Sequence, residues 1–380
     1  MTTRTATNRW SNVPTAVLLG LSALATLSCL IPIPTESLWP IRMVAREVSP
    51  WFVAINLLGV AATVGRRRAA VAVFAAGLAV ATWPLFQLSR TRAEIMRQWP
   101  QQGFVSRLHV PGTIEVLTQS ALGLTVPTLE PRVLSSAIHL YRPTRRDDEP
   151  LPTIIDIHGG SWQVGGVRDD ESFSRIMAAK GFAVFALDYR KAPAFKFPAQ
   201  RDDVMKAIVW VRDNALRLGA DPERVALVGR SAGGHLAMLA AYARSSVHVR
   251  SVISFYGPAD LTALYAEPPS PDPLHVRTKL EEFLGGTPDS VPQVYREASP
   301  VSLVRPNLPP TLHIQGGSDN VVPARLTRAL HAALLAAGSR SLLLEIPWAD
   351  HSFDLVHFGP SNVVAQSVID AFLVDTLRVP

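Results

Sequence analysis

The stretch Val225-Ala226-Leu227-Val228-Gly229-Arg230-Ser231-Ala232-Gly233 decides the fold. Four apolar residues running into Gly-x-Ser-x-Gly read as a buried strand that turns sharply into a helix, with Ser231 at the bend. Gly229 and Gly233 let the backbone bend and let neighbouring chain approach without a side chain in the way, so the hydroxyl stands clear of the sheet. A serine so placed is a nucleophile only if three other parts converge on it: a general base, an acid that orients the base, and backbone donors for an oxyanion.

Outward from this turn, short apolar runs recur at 153–157, 183–187, 252–255, 311–314 and 342–346, with a further strand over 136–141. Between them Val204, Ile208 and Val211 share one helical face, as do Leu326, Leu330 and Leu334. Strands alternating with amphipathic helices predict an α/β fold, a parallel sheet covered on both faces. Ligands of such sheets sit at the carboxyl ends of the strands.

Those ends carry the missing parts. After 153–157 comes His158-Gly159-Gly160-Ser161-Trp162, where the N–H groups of Gly159 and Gly160, with that of Ala232, form a candidate oxyanion hole. After 311–314 comes Gln315-Gly316-Gly317-Ser318-Asp319-Asn320-Val321-Val322-Pro323, which offers Asp319 as the acid. After 342–346 comes Pro347-Trp348-Ala349-Asp350-His351-Ser352-Phe353, which offers His351 as the base that takes the proton of Ser231. Asp188, at the end of 183–187, is a second candidate acid, but it precedes the nucleophile. His313 and His235 read as core histidines, His158 as a brace for its own loop, and Asp350 as pointing away from the base. No His-Glu-x-x-His, cysteine pair or nucleotide-binding glycine pattern occurs, so neither metal nor cofactor is expected.

The mean hydropathy of +0.17 comes from the first hundred residues. There, 11–35, 48–65 and 69–89 carry no charge, and each is near the roughly 20 residues that cross a bilayer as a helix. They predict a membrane region over 1–100 with about three transmembrane helices, in a multi-pass protein of the cell membrane. The net charge of +6 lies there too: ten Arg against three Glu, with the remaining 280 residues near neutral at −1. This excludes a basic groove for nucleic acid. With Arg4, Arg9 and Arg66 to Arg68 on the cytoplasmic side, three passes leave the rest of the chain extracytoplasmic. Residues 101–150 read as a linker with the first strands, ending in a turn-like Arg145-Arg146-Asp147-Asp148-Glu149-Pro150. Residues 151–380 read as the catalytic domain, with a long proline-rich insertion at about 259–310 that reads as a lid or substrate-facing insertion. A lone Cys29 rules out an internal disulfide.

Taken together, the Ser231, Asp319, His351 order, the elbow and the Gly159-Gly160 loop resemble the α/β-hydrolase superfamily. Asp188-Tyr189-Arg190-Lys191-Ala192-Pro193 and Phe197-Pro198-Ala199 are similar to carboxylesterases near the hormone-sensitive-lipase group. The resemblance implies a mostly parallel eight-stranded sheet and hydrolysis of a small-molecule or lipid ester through an acyl-enzyme, without a cofactor. Three positions depart from it. Ser161 stands where a third glycine is usual, Arg230 stands where an acidic residue is common, and the Asp319 loop looks closer to feruloyl-esterase-like, formamidase-like and prolyl-oligopeptidase-like relatives. The N-terminal stretches resemble the arrangement of membrane-anchored isoprenylcysteine methylesterases and suggest a lipophilic ester. The same triad would serve an amidase, a peptidase or an acyltransferase, and a catalytically silent binding module is the alternative from another class.

Overall fold

The computed structural model describes residues 13–30, 35–64, 68–123, 125–143, 149–243 and 248–377. Arg4, Arg9, Arg66, Arg67 and residues 145–148 of the sequence reading lie outside these. The chain opens with four helices, α1 (Val13–Leu30), α2 (Trp39–Val48), α3 (Phe52–Thr63) and α4 (Arg68–Gln101), and a short α5 (Thr113–Leu122). Then come β1 (Arg132–Ser135), β2 (Ile138–Tyr141), β3 (Leu151–Ile157), α6 (Glu171–Ala179), β4 (Ala183–Leu187), α7 (Ala199–Asn214), β5 (Ala220–Arg230), α8 (Ala232–Tyr242) and β6 (Ser251–Phe255). Three short helices, α9 (Leu261–Ala266), α10 (Val276–Leu284) and α11 (Pro292–Glu297), fill the connection to β7 (Thr311–Gly316). The chain closes with α12 (Ala324–Ala336), β8 (Ser341–Ile346) and α13 (Pro360–Leu377).

The eight strands form one sheet in the order β1-β2-β4-β3-β5-β6-β7-β8. Only β2 breaks the parallel direction, pairing antiparallel with β1 and β4. Successive side chains of the buried strands enter opposite layers, the period-2 rule of strands. Thus Leu227 and Ile155 pack with Val204, Ile208 and Leu236 of α7 and α8. Ala226, Val228 and Ile154 pack with Phe173 and Met177 of α6 and Val368 and Phe372 of α13. This core holds β5 centrally, which sets Ser231 at the middle of the carboxyl edge.

The N-terminal helices depart from three separate spans. Ser49-Pro50 forms a tight 3-10 turn that ends α2 and leaves only the 12 residues of α3 to carry the helix of the second apolar stretch, because proline there presets φ and leaves no N–H for a continuing α-helix. Among the described residues two segments, Trp39–Ala61 and Arg68–Gln101, are long and apolar enough to cross a membrane, while Val17–Leu30 is shorter. α4 also runs past Ser89: Leu88, Ile95 and Trp99 belong to the same core layer as β8 and α13, and the Gln98 amide bonds both ways to the backbone of Leu343. α2 is docked too, the Glu47 carboxylate accepting from the hydroxyl and N–H of Ser361 at the start of α13. β1 is absent from the sequence reading, since an exposed edge strand carries little apolar signal.

Candidate active site

Ser231 sits between β5 and α8 with φ 51° and ψ −119°, a strained conformation for a residue with a side chain. Two contacts explain the flanking glycines. A Cβ on Gly229 would lie 2.3 Å from the carbonyl oxygen of Gly233, and one on Gly233 would lie 1.9 Å from that of Ile157. The elbow is therefore wedged against the end of β3. Gly159 lies against it from the next loop, its absent Cβ falling 3.4 Å from Ser231 Cβ. That proximity brings the Gly159-Gly160 backbone beside the serine and the first N–H of α8, that of Ala232.

His351 and Asp319 reach the same point from the ends of β8 and β7. His351 Nε2 is 3.0 Å from Ser231 Oγ, and His351 Nδ1 is 2.8 Å from Asp319 Oδ2. The Asp319 carboxylate is held on all sides: Oδ1 accepts the N–H groups of Val321 and Val322 at 2.8 Å each. Oδ2 also accepts the Gln315 amide at 3.0 Å, whose own oxygen accepts the Thr327 hydroxyl. With two backbone donors and an amide fixed on it, this carboxylate presents one lone pair to His351, which selects the tautomer whose Nε2 can take a proton from Ser231.

The rival residues have other work. Asp188 accepts from Lys191 and from the N–H of Tyr189, and it pairs with His158 Nε2 at 3.1 Å. Burial opposes its charge, yet the hydrogen bonds from His158 and Lys191 outweigh it and bring its pKa down to about 2. His158, bonded also to the Gly159 carbonyl and stacked on Tyr189, thereby braces the Gly159-Gly160 loop. His235 accepts from Trp162 Nε1 and donates to the Ala298 carbonyl, tying that loop to the segment before β7. His313 is buried in β7 beside His331. Burial lowers the pKa of His235 to about 4 and that of His313 to about 3, so both are neutral fixtures. Arg230 turns away from the site into a buried group of carboxylates, Asp354 at 2.6 Å, Asp156 at 3.1 Å and Asp170 at 3.2 Å. Burial raises the pKa of Asp156 and Asp170 against the pull of that guanidinium. Asp354 in turn accepts the Tyr256 hydroxyl, and the Tyr256 ring lies 4.4 Å from that of His351.

Ser161 and Trp162 both have left-handed φ, 51° and 61°. This is why a glycine is usual at the first of them. Beside Ser231 they line a cleft of about 30 Å³, room for about two waters. The helices between β6 and β7 roof it with Leu264, Val276 and Lys279. They are anchored by Phe283, which stacks on Trp162 at 4.3 Å.

The family model of BD-FAE matches residues 138–334, just over half of the chain, across the Gly159-Gly160 loop, the Ser231 turn and Asp319. The chain belongs to the BD-FAE family. This BD-FAE member is 32% identical to esterase LipQ of Mycobacterium tuberculosis over 245 residues, 60% of this chain and 56% of that one. It is 34% identical to esterase LipC of the same organism over 248 residues, 59% of each. The chain thus spans less than two thirds of the length of these curated relatives. Among solved structures, an esterase of Thermogutta terrifontis, Est2, is similar over 66% of this chain and 93% of its own, with 27% identity and a TM-score of 0.52. The same organism's esterase 2 phosphonylated by sarin covers 68% and 99%, with 25% identity and a TM-score of 0.56. The BD-FAE match stops before His351, and it excludes α2. Gln315, Tyr256 and the α2 residues beside His351 escaped the sequence reading. Of these only Gln315 had a signal, a polar residue closing an apolar strand.

Proposed function

We propose that this chain is a membrane-bound serine carboxylesterase. The observation that carries the reading is the hydrogen-bonded line from Ser231 Oγ through His351 to Asp319, 3.0 Å and then 2.8 Å. Ser231 attacks the ester carbonyl as its proton passes to His351 Nε2, and Asp319 remains ionised and steadies the imidazolium. The N–H groups of Gly159, Gly160 and Ala232 receive the oxyanion, a device worth about 3–4 kcal/mol per donor. Collapse expels the alcohol, which takes the proton from His351 and leaves Ser231 acylated. Water activated by His351 then releases the acid and restores the serine. The esterase names of LipQ and LipC and the sarin adduct of the Thermogutta enzyme support this chemistry. The narrow cleft beneath the α9–α11 roof favours a short acyl group, leaving the lipophilic part of the ester on the alcohol side.

Membrane attachment is supported by the outward faces of the N-terminal helices. Leu21, Leu24 and Leu27 of α1, Leu57 and Leu58 of α3, and Trp83 and Phe86 of α4 are exposed large apolar side chains, a pattern suited to lipid. α2, between the first and second apolar stretches, packs on the catalytic domain, so both lie on one side of the bilayer. Arg68 at the start of α4 on the opposite, cytoplasmic side, where positive charge is favoured, leaves the domain at the far end of α4 outside.

The test is labelling of the full chain by a fluorophosphonate, with Ser231→Ala as control, followed by p-nitrophenyl esters of graded acyl length and matched anilides. Labelling lost in Ser231→Ala and turnover of short-chain esters over anilides are expected. An unlabelled native protein would overturn the reading. Protease added to intact cells should digest the domain after Ser89, and full protection would reverse the orientation.

A further inference from the structure

The amphipathic helix α2 faces the wrong way for a helix on a water-exposed surface. Its outward positions are apolar: Leu38 immediately before it, then Ile41 and Val44, are 51%, 50% and 41% exposed. Its buried positions are Trp39, Arg42, Met43 and Glu47, two of the four charged. A helix at a water-facing surface shows the reverse polarity. α2 packs beside α1, whose outward positions Leu21, Leu24 and Leu27 are exposed and apolar as well, and a bilayer surface is the partner that two neighbouring apolar outward faces fit.

The inward face meets the catalytic histidine. Arg42 Nη1 is 2.8 Å from Asp350 Oδ2, with both side chains buried. The other oxygen of Asp350 accepts the N–H of His351 at 2.8 Å and that of Asn320 at 3.3 Å. One carboxylate therefore ties the loop that bears His351 to the loop that bears Asp319, and Arg42 supplies its countercharge. One turn earlier in α2, Trp39 packs on Val321 and Val322, whose N–H groups hold Asp319. The Trp39 ring lies 6.0 Å from that of His351. A buried carboxylate stripped of its partner is strongly disfavoured and draws in water or a new donor, so the two loops depend on where α2 sits.

We propose that α2 is an interfacial helix that couples the bilayer surface to the catalytic site, its outer face seated in lipid and Arg42 acting through Asp350 as a positioning residue for His351 and Asp319. This rests on the serine-esterase reading above. Trp39 closes the site beside the base, and withdrawal of α2 from the bilayer loosens the acid and base loops together.

The experiment uses the full chain in phosphatidylcholine nanodiscs. Arg42→Gln should lower the rate of Ser231 labelling by a fluorophosphonate, and kcat on a short p-nitrophenyl ester, by 10- to 100-fold, with KM changed less than threefold. Arg42→Lys should recover most of the loss. Arg42→Gln combined with Asp350→Asn, which removes the orphaned charge yet keeps an acceptor for His351 N–H, should come within about fivefold of wild type. An Arg42→Gln protein that labels at the wild-type rate, or a double variant no better than the single, overturns the positioning role. For the outer face, Ile41→Cys in a Cys29→Ser background carries a nitrobenzoxadiazole probe, which lipid brominated on its acyl chains should quench. A probe on Val133→Cys, on the exposed edge strand, should stay bright. An unquenched probe at 41 overturns the lipid contact. If wild-type protein fails to label at all, the esterase reading falls and the positioning role with it, while quenching at 41 still decides the contact.

Discussion

Gly233→Ala tests the elbow through a single methyl. That methyl would lie 1.9 Å from the Ile157 carbonyl oxygen and 2.5 Å from that of His158, whereas unstrained carbon contacts need about 3.5 Å. Both obstacles are backbone at the end of the central strand β3, so no side chain can swing aside. The first turn of α8 must retreat by more than about 1 Å, taking Ser231 away from His351 and the Ala232 N–H away from Gly159. Misplacement of about 1 Å in a reacting geometry costs about 100-fold, and overpacking a tight core costs about 1–3 kcal/mol of stability. The assay is kcat/KM on a short p-nitrophenyl ester, with thermal unfolding measured alongside so that activity is compared at temperatures where each variant is folded. Gly166→Ala is the control, because nothing lies within 4 Å of its added methyl. The expected result is a fall of about two orders of magnitude for Gly233→Ala and none for Gly166→Ala. A Gly233→Ala protein within threefold of wild type would refute the wedged elbow.

Asp319→Asn places an amide NH₂ either against the N–H groups of Val321 and Val322 or against the Gln315 amide and His351 Nδ1, donor facing donor in both cases; kcat should fall about 10³- to 10⁴-fold through the wrong histidine tautomer, and Asp188→Asn should not reproduce that tautomer effect in the pH profile of the remaining activity. Ser161→Gly relieves a left-handed residue at φ 51° and should raise the chemical-denaturation stability by up to about 1 kcal/mol, a loss of stability being the contrary result. Acid should weaken the fold through His235 and His313, whose folded pKa values of about 4 and about 3 lie below the 6.5 of a free histidine. The unfolded chain then binds more protons, so their contribution is complete above pH 6.5 and declines as pH falls toward the folded values. At pH 5 the loss is about 2 kcal/mol for each residue. Urea midpoints at pH 7 and pH 5 measure it, and His313→Gln should reduce the difference.

The sheet was legible because buried strands announce themselves as apolar runs, and 183–187 coincides with β4 to the residue. Ser231, Asp319 and His351 were legible for a related reason: a parallel sheet gathers the ends of its strands at one edge, so chemistry-bearing residues just after each run converge although 120 positions separate the serine from the histidine. What escaped depends on packing across long separations. Arg42 stands in a short charged segment between two apolar stretches, yet its partner is 308 positions away, and no local pattern encodes such a pair. Arg230 looked anomalous beside Ser231 because sequence does not tell that its side chain leaves the site for the layer beneath, where Asp156, Asp170 and Asp354 wait. The length of α4 was hidden because polar residues after Ser89 resemble the end of an apolar helix, whereas they continue it along β8.

That continuity makes helical phase a variable of this protein. α4 packs on α1 and α3 through its first half and on β8 through its second, as one element of 34 residues about 51 Å long. Each residue of an α-helix turns the chain by about 100°. A single residue inserted midway, near Leu85, would rotate one packing face away from the other, while four would bring it back to within about 40°. Tolerance to insertions there should therefore rise and fall with the helical repeat rather than with insertion length, the behaviour of a drive shaft and not of a tether.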